Sequence, residues 1–406
     1  MNKRKKKLYF RRIILLLILA TIIVGAIFAI GKLFNNDSED KKIEVSNTAN
    51  DEVKVIEAEK LPPRSFTLTG LGDAMCHNTQ YKDAYVSANG IYDFNYVFEN
   101  VKDVMSKDDL TIGNLETTFA GPEAGYSGYP TFNTPDAMGE ALKNAGVDVL
   151  STANNHCLDK GYKGLSRTLD VLDQLGIDHA GTSRTVEEQA KVLIKDVNGI
   201  KVAILSFTYG TNGINPPSDK GYCVNYIDKN FIKGRIDAAK AEGAEVVIAC
   251  MHWGIEYQTK PNAEQIDMAD FLFKSGADII LGNHAHVIEP FEKREIQLED
   301  GSVKEGFVVY AMGNLVANQN QVNTKNNIML HMKVTLDSDN KLIIDDISYT
   351  PVYIYKNDNV AIKKFKLLKI DSEIANYEAG AANKVSNSLY NTLKTERGRI
   401  SKILGE

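Results

Sequence analysis

Cysteine is scarce in this sequence and falls in no metal-knuckle pattern. Cys76, Cys157, Cys223 and Cys250 are the four among 406 residues. None stands close to another in sequence, so the spacing that marks a zinc knuckle is missing. Cys76 and Cys157 each adjoin a candidate ligand and can pair if their segments meet, but plain buried thiols are the simpler reading. No internal repeat runs through the chain. Positive charge is also short once the first 34 residues are set aside: they carry eight basic side chains and no acid, so a net charge of −6 for the whole leaves −14 on the remainder. That is a poor surface for nucleic acid, whose binding relies on Lys and Arg neutralising phosphates. An anionic substrate would need a local cationic site, and bound metal supplies one.

Residues 1–12 lack acids and hold Lys3, Arg4, Lys5, Lys6, Lys7, Arg11 and Arg12, and residues 13–30 lack charge altogether. Such an uncharged run of 18 residues is about the minimum that spans a bilayer. The basic flank belongs on the cytoplasmic side. Gly31-Lys32-Leu33-Phe34 offers no small-residue cleavage site, so an uncleaved single-pass anchor in the cell membrane is expected over residues 1–34 rather than a signal peptide, with the N-terminus cytoplasmic and the main domain extracellular. Residues 35–60 hold eight acids against four lysines with little apolar periodicity, which reads as a solvated stalk over 35–63.

From residue 64 onward, strands and helices alternate in the α/β manner. Apolar spacing predicts helices over 94–105, 136–145, 163–175, 229–242 and 263–275. Two hairpins interrupt the alternation, 192–197 with 200–207 around Asn198-Gly199, and 295–298 with 303–310 around Asp300-Gly301. Strands follow at 328–334 and 342–349. Mixed pairing of this kind points to two packed sheets with helices outside, as one domain over 64–352. Past Pro351 the pattern fades into a polar tail, 353–406, expected to be helical and without chemistry.

Five apolar strands end at a Gly, Asn or His followed by ligand-type side chains. They lead into Gly72-Asp73-Ala74-Met75-Cys76-His77, Asn114-Leu115-Glu116, Asn154-Asn155-His156, His252-Trp253 and Gly282-Asn283-His284-Ala285-His286. Sites in open α/β sheets form beyond the carboxyl ends of strands, so five such ends can converge on one crevice. Five of the seven histidines lie in these motifs. In an extended His-x-His the two rings of His284 and His286 point the same way and can meet one metal, or one each of a close pair.

In order, GDAMCH (72–77), NLETTF (114–119), ANNHCLDKG (153–161), HWGIEY (252–257), GNHAHV (282–287) and YAMGN (310–314) resemble the signature of the CapA family of poly-γ-glutamate capsule biosynthesis proteins. That family is similar to the calcineurin-like metallophosphoesterases. The resemblance covers roughly residues 66–316 and implies a four-layer α/β/β/α sandwich with a dimetal centre at one edge. Two divalent ions (Mn, Fe or Zn) about 3.5–4 Å apart need a bridging carboxylate with imidazole and oxygen ligands. Glu116 is the expected bridge, where the phosphoesterase pattern usually has Asp. Asp73, Glu116 and His286 would take the first ion, and Glu116, Asn155, His252 and His284 the second. The pattern's opening Asp-x-His has Met75 in the His position, which leaves the first ion a ligand short unless His77 reaches it.

His156, next to a ligand, is suited to act as general acid while hydroxide generated at the metal attacks. Asp159 either orients it or caps the helix beside Gly161. Glu256 and Tyr257 are expected to face substrate, with packing the alternative for Trp253 and Tyr257, and Asn314 is expected to bind substrate from a further loop. His179 and His331 read as structural. Two functions stay open. One is an outward-facing metal-dependent hydrolase of a phosphoester or a γ-glutamyl amide. The other is a non-catalytic accessory subunit that holds the anionic polymer while its anchor meets capsule or poly-γ-glutamate synthase subunits in the membrane.

Overall fold

The structure, a computed structural model, describes residues 62–298 and 301–406; the expected anchor and nearly all of the stalk lie outside the described residues. Among the described residues, no helix is long and apolar enough to cross a membrane.

Two sheets carry the fold. In the first, the strand Arg64–Ala74 has parallel neighbours on one side, Leu110–Leu115, then Val149–Ser151 and Asp178–Ala180. On its other side lie antiparallel Asn326–Leu336, Leu342–Lys356 and Phe365–Lys369, while the short strand Asn314–Val316 runs parallel to its end. In the second sheet, parallel Ile200–Thr208, Val246–His252, Ile279–Asn283 and Val303–Val309 are bordered by antiparallel Leu193–Val197 and Phe291–Gln297. Strands such as Leu110–Leu115 and Val246–His252 are buried along their whole length, which explains why they read as continuous apolar runs rather than alternating ones.

Three apolar cores stack these layers. Phe66, Leu68 and Ile112 of the first sheet meet Val202, Ile248 and Leu281 of the second. Leu71, Leu115 and Leu150 turn outward to Met138, Leu142 and Leu172 of the helices Ala137–Ala145 and Gly161–Leu175. Ala203, Phe207 and Met251 turn outward to Ile232, Ile236, Leu272 and Phe273 of Lys229–Ala241 and Ala263–Ser275. The order is the expected α/β/β/α. Both hairpins form, and Asn198 and Gly199 take φ of 54° and 80°, the left-handed pair that a two-residue turn requires.

Two expectations need correction. The helix expected over 94–105 is two short pieces, Asn95–Phe98 and Lys102–Met105; between them the side chain of Asn100 donates to Leu367 O, a distant tertiary contact that holds the break against the tail. The boundary at 352/353 falls inside the strand Leu342–Lys356, and the unit that begins near Lys60 runs to Glu406. Pro351 does not end that strand. Its partner Ile328 gives its N–H to Met312 instead, and pairing on the outer side starts only at Val352, so no ladder bond is lost at the proline. The tail then adds the edge strand Phe365–Lys369 and two helices, Ile370–Glu378 and Asn387–Leu404, whose Ile370, Leu393 and Ile400 close the core between the sheets.

Glycine is required where the sheets' carboxyl ends crowd. A Cβ on Gly72 would stand 1.9 Å from Gly313 O, and one on Gly282 1.9 Å from Tyr310 O. Just beyond lies Glu289, fully buried, whose Oε2 accepts from Gln265 Nε2 at 2.7 Å and whose Oε1 has no partner among the described residues. Burial pushes its carboxyl up to about 7. Because the folded value lies above the ordinary one, the neutral acid's contribution is fully present below the usual carboxylate range. It is lost as pH rises through about 7, by roughly 3 kcal/mol. Glu289→Gln should therefore flatten the pH dependence: in thermal melts at about pH 5 and about pH 8, the wild type should lose stability at the higher pH relative to the variant. Parallel profiles would refute this assignment.

Candidate metal centre

The ligand-type residues stand at the carboxyl edge of both sheets because strand register puts them there. Asp73, Asn114 and Ser151 are register partners on three adjacent parallel strands. Their side chains form a chain in which Ser151 Oγ donates to Asn114 Oδ1 at 2.7 Å and Asn114 Nδ2 donates to Asp73 Oδ1 at 2.7 Å. Period-two alternation puts Glu116, two residues past Asn114, on the same face. In the second sheet Asn283 is the register partner of His252, so the histidine loop begins level with His252.

That loop is not extended. His284 and His286 have φ of 100° and 58°, a region that non-glycine residues enter only under constraint. The rings converge through left-handed backbone, not through strand alternation, with centroids 5.9 Å apart. The constraint is visible: His284 N–H donates to Asp73 Oδ2 at 3.2 Å, and Ala285 O accepts from Tyr257 N–H at 2.8 Å.

Two groups able to hold a metal ion result, Glu116 with His252 and His284, and Asp73 with Glu116 and His286, each with donor atoms within 4.8 Å of one another. His252 Nε2 is 2.8 Å from Asn155 Oδ1 and 3.6 Å from Glu116 Oε1. His286 Nδ1 is 3.3 Å from Asp73 Oδ2, and its Nε2 is 3.8 Å from Glu116 Oε1. The donor set fits divalent metal on independent grounds. Both oxygens of Glu116 and Nδ1 of His284 are buried with no hydrogen-bond partner among the described residues. Burial first, and the charge of Asp73 second, hold the Glu116 carboxyl well above the usual range. Burial pushes His284 down to about 3 and holds His252 far below the ordinary imidazole value. Neutral imidazoles around a carboxylate that is costly to ionise are what a cation would satisfy.

Beside this centre, His156 Nδ1 lies 2.7 Å from Asp159 Oδ2, both side chains nearly inaccessible. Asp159 Oδ2 also accepts from Phe132 N–H at 2.6 Å, and the Phe132 ring meets His156 edge-on at 4.7 Å. The helix Gly161–Leu175 has Lys160, not Asp159, as its N-cap residue, so the cap alternative falls away. His156 Nε2 is left facing Asn212 at 3.5 Å. Glu256 and Tyr257 lie exposed at the rim, with the Tyr257 ring 6.2 Å from His286. Burial and then the charge of Glu256 push the Tyr257 hydroxyl up to about 12. Trp253, by contrast, is buried and donates to Tyr310 O at 2.9 Å.

Two site expectations are corrected. His77 joins neither donor group: its Nδ1 accepts from Asn318 N–H at 3.2 Å and its ring packs edge-on against Phe132. Asn314 does not face the cleft. It is fully buried, with Oδ1 at 3.1 Å from His286 Nδ1 and Nδ2 donating to Gln319 and to Thr324 O, so it fixes His286. The four cysteines are free and buried, and Cys76 and Cys157 do not pair. Sequence reading passed over Asn114, Asn212 and Tyr209. Asn114 was detectable as a polar residue in register with Asp73. Tyr209, whose ring lies 4.5 Å from His284, follows a strand end that carries no ligand motif.

Comparison with known proteins finds relatives among capsule biosynthesis proteins. Capsule biosynthesis protein CapA of Bacillus anthracis is 28% identical over 289 residues, 68% of this chain and 65% of that protein. PGA biosynthesis protein CapA of Bacillus subtilis (strain 168) is 27% identical over 285 residues, 67% of this chain and 68% of that protein. The chain thus spans about two thirds of the length of these relatives. Among solved structures, the calcineurin-like phosphoesterase YfkN from Bacillus subtilis aligns with 71% of this chain and 91% of its own, at 16% identity and a TM-score of 0.40. Residues 67–319 match the family described as bacterial capsule synthesis protein PGA_cap, and the chain belongs to that family.

Proposed function

We propose that this protein is a metal-dependent hydrolase of capsule or poly-γ-glutamate biogenesis, held at the outer face of the cell membrane by residues 1–34, and that it cleaves a phosphoester or a γ-glutamyl amide. The observation that carries this reading is the orphaned, buried carboxylate of Glu116 between two groups of imidazole and carboxylate donors, with an oriented imidazole at its side. Asp73, Glu116, Asn155, His252, His284 and His286 would hold the metal. Divalent ions in that position, Mn, Fe or Zn, supply Lewis-acid polarisation of a substrate oxygen and activate water at neutral pH.

The chain's own residues do the rest. Asp159 accepts from His156 at Nδ1, which fixes the ring and leaves Nε2 to carry the proton delivered to the leaving oxygen or nitrogen. Asn212 links this ring to the centre, its Nδ2 facing the unprotonated Nε2 at 3.5 Å and its Oδ1 accepting from Asn155 Nδ2 at 3.4 Å. Tyr209 lies over His252 and His284 and limits access of bulk water from that side. Glu256 and Tyr257 at the rim contact the substrate beyond the scissile bond. The second reading, an accessory subunit that holds the anionic polymer and meets synthase subunits through the anchor, draws support from Met75. Its side chain is buried among apolar residues, which leaves the Asp73 group with three donors.

Two measurements decide between them. A soluble protein beginning near Arg64 should carry at least about one transition-metal ion per chain by elemental analysis, and His284→Ala should lose it; a metal-free native protein would end the catalytic reading. With metal present, turnover of a generic phosphodiester or of γ-linked glutamate oligomers should fall roughly 10²–10⁴-fold on His156→Ala while metal content is retained, and Asp159→Asn should act in the same direction. A fully metallated protein that cleaves neither substrate, and that co-purifies with synthase subunits only when residues 1–34 are present, would establish the accessory role.

A further inference from the structure

The two donor groups that share Glu116 differ in how much of their hydrogen-bonding capacity the protein already uses. In the group of Asp73, Glu116 and His286, Asp73 Oδ1 accepts from Asn114 at 2.7 Å and Oδ2 accepts from His284 N–H at 3.2 Å. His286 Nδ1 lies 3.1 Å from Asn314 Oδ1 and 3.3 Å from Asp73 Oδ2. Both oxygens of Asp73 are therefore tied into protein bonds, whereas the Nδ1 contacts of His286 leave its Nε2 free, and no fourth His, Cys, Asp or Glu joins the group among the described residues. Met75 is 1% exposed in the core on the helix side of the first sheet, and His77 Nδ1 is engaged by Asn318.

The other group shares Glu116 and differs in His284, while the contact its ligand atoms give up is that of His252 Nε2 with Asn155 Oδ1 at 2.8 Å. Glu116 Oε1 and Oε2 and His284 Nδ1 have no partner among the described residues. Asn155 Oδ1 adds a fourth, uncharged oxygen at 2.8 Å from His252 Nε2, with Glu116 Oε1 at 3.6 Å from the same nitrogen. Those separations are close to the donor–donor edges of roughly 3.0–3.4 Å around an ion with bonds near ~2.1 Å.

We infer that the protein keeps one resident divalent ion on Glu116, Asn155, His252 and His284, and that Asp73, Glu116 and His286 take a second, exchangeable ion whose presence follows the free metal concentration. The inference rests on the metal reading of the preceding section and adds an order of loading to it. Filling the second position disturbs the bonds that both Asp73 oxygens accept and has one donor fewer, and disturbing the partners that hold a ligand costs roughly 10–100-fold in metal affinity. Occupancy of that position then becomes a means of regulation, since external metal, rather than folding, decides whether the centre is complete.

The test counts ions rather than turnover. The soluble protein beginning near Arg64 is loaded with Mn²⁺, dialysed against metal-free buffer, measured by elemental analysis, and then titrated with Mn²⁺ by calorimetry. The expected result is about one ion retained and a second bound roughly 10–100-fold more weakly. Asp73→Asn should abolish the weak step and keep the retained ion, and His284→Ala should lose the retained ion; melting curves check that both variants fold. Two retained ions, two equal binding steps in the wild type, or loss of the retained ion in a folded Asp73→Asn would overturn the inference and leave the hydrolase reading standing. No bound metal in any sample would overturn both.

Discussion

A carboxylate with nothing to bond to is the constraint around which this molecule is arranged. Glu116 is fully inaccessible, and neither oxygen has a hydrogen-bond partner among the described residues. Burying an unpaired charge costs several kcal/mol even after relaxation, so the group must either hold a proton or meet a cation. The surroundings favour the cation: His252 and His284 are kept neutral, mainly by burial, and so present lone pairs rather than competing positive charge. A metal bound to the folded state alone stabilises it by mass action, which couples the fold of the edge to its occupancy.

The supporting structure converts this demand into fixed geometry. Asp73 and Asn114 are register partners, and Ser151 is the register partner of Asn114; because register in a sheet with buried faces cannot slip by one residue without reversing every side chain, the chain of hydrogen bonds behind Glu116 is as rigid as the sheet. The histidine loop is held differently. His284 and His286 occupy left-handed backbone, at a cost of the order of 1–3 kcal/mol each. The bond from His284 N–H to Asp73 Oδ2 ties this loop of the second sheet to the ligand of the first. Gly72 and Gly282, which admit no Cβ, let the backbones at the ends of both sheets come close.

What the sequence made legible and what it hid divide along physical lines. Strand ends, both hairpins and the layer order are written in local patterns, namely apolar runs broken by Gly, Asn or His and the pair Asn198-Gly199. Asp73, Glu116, His252, His284 and His286, which the structure brings together, were legible because each lies at a strand end or within a few residues of one. Properties set by the path of a loop in three dimensions were not legible. Asn314 follows Gly313 at a strand end exactly as a ligand would, yet the bridge between Gly313 and Asn327 turns it inward beneath His286. His77 stands two residues from Met75, but the helix that starts after it and the N–H of Asn318 hold its ring aside. The tail was misread because Pro351 looks like a strand terminator, whereas its nitrogen faces a side where no ladder bond is made.

The pair His156–Asp159 carries weight that the metal donors alone do not. A protein that only grips an anionic polymer needs cations and donors facing outward; it has no use for a buried carboxylate that holds one nitrogen of a buried imidazole. That arrangement is costly, since Asp159 Oδ1 has no partner among the described residues while Oδ2 serves both His156 and Phe132 N–H. The arrangement fixes ring orientation and tautomer, both of which matter to proton transfer and neither of which matters to adhesion. Phe132, in the segment that follows Glu116, gives its N–H to that carboxylate and so ties this segment to the oriented imidazole. The oriented imidazole is thus the feature that the proposed hydrolase uses and the proposed accessory role does not.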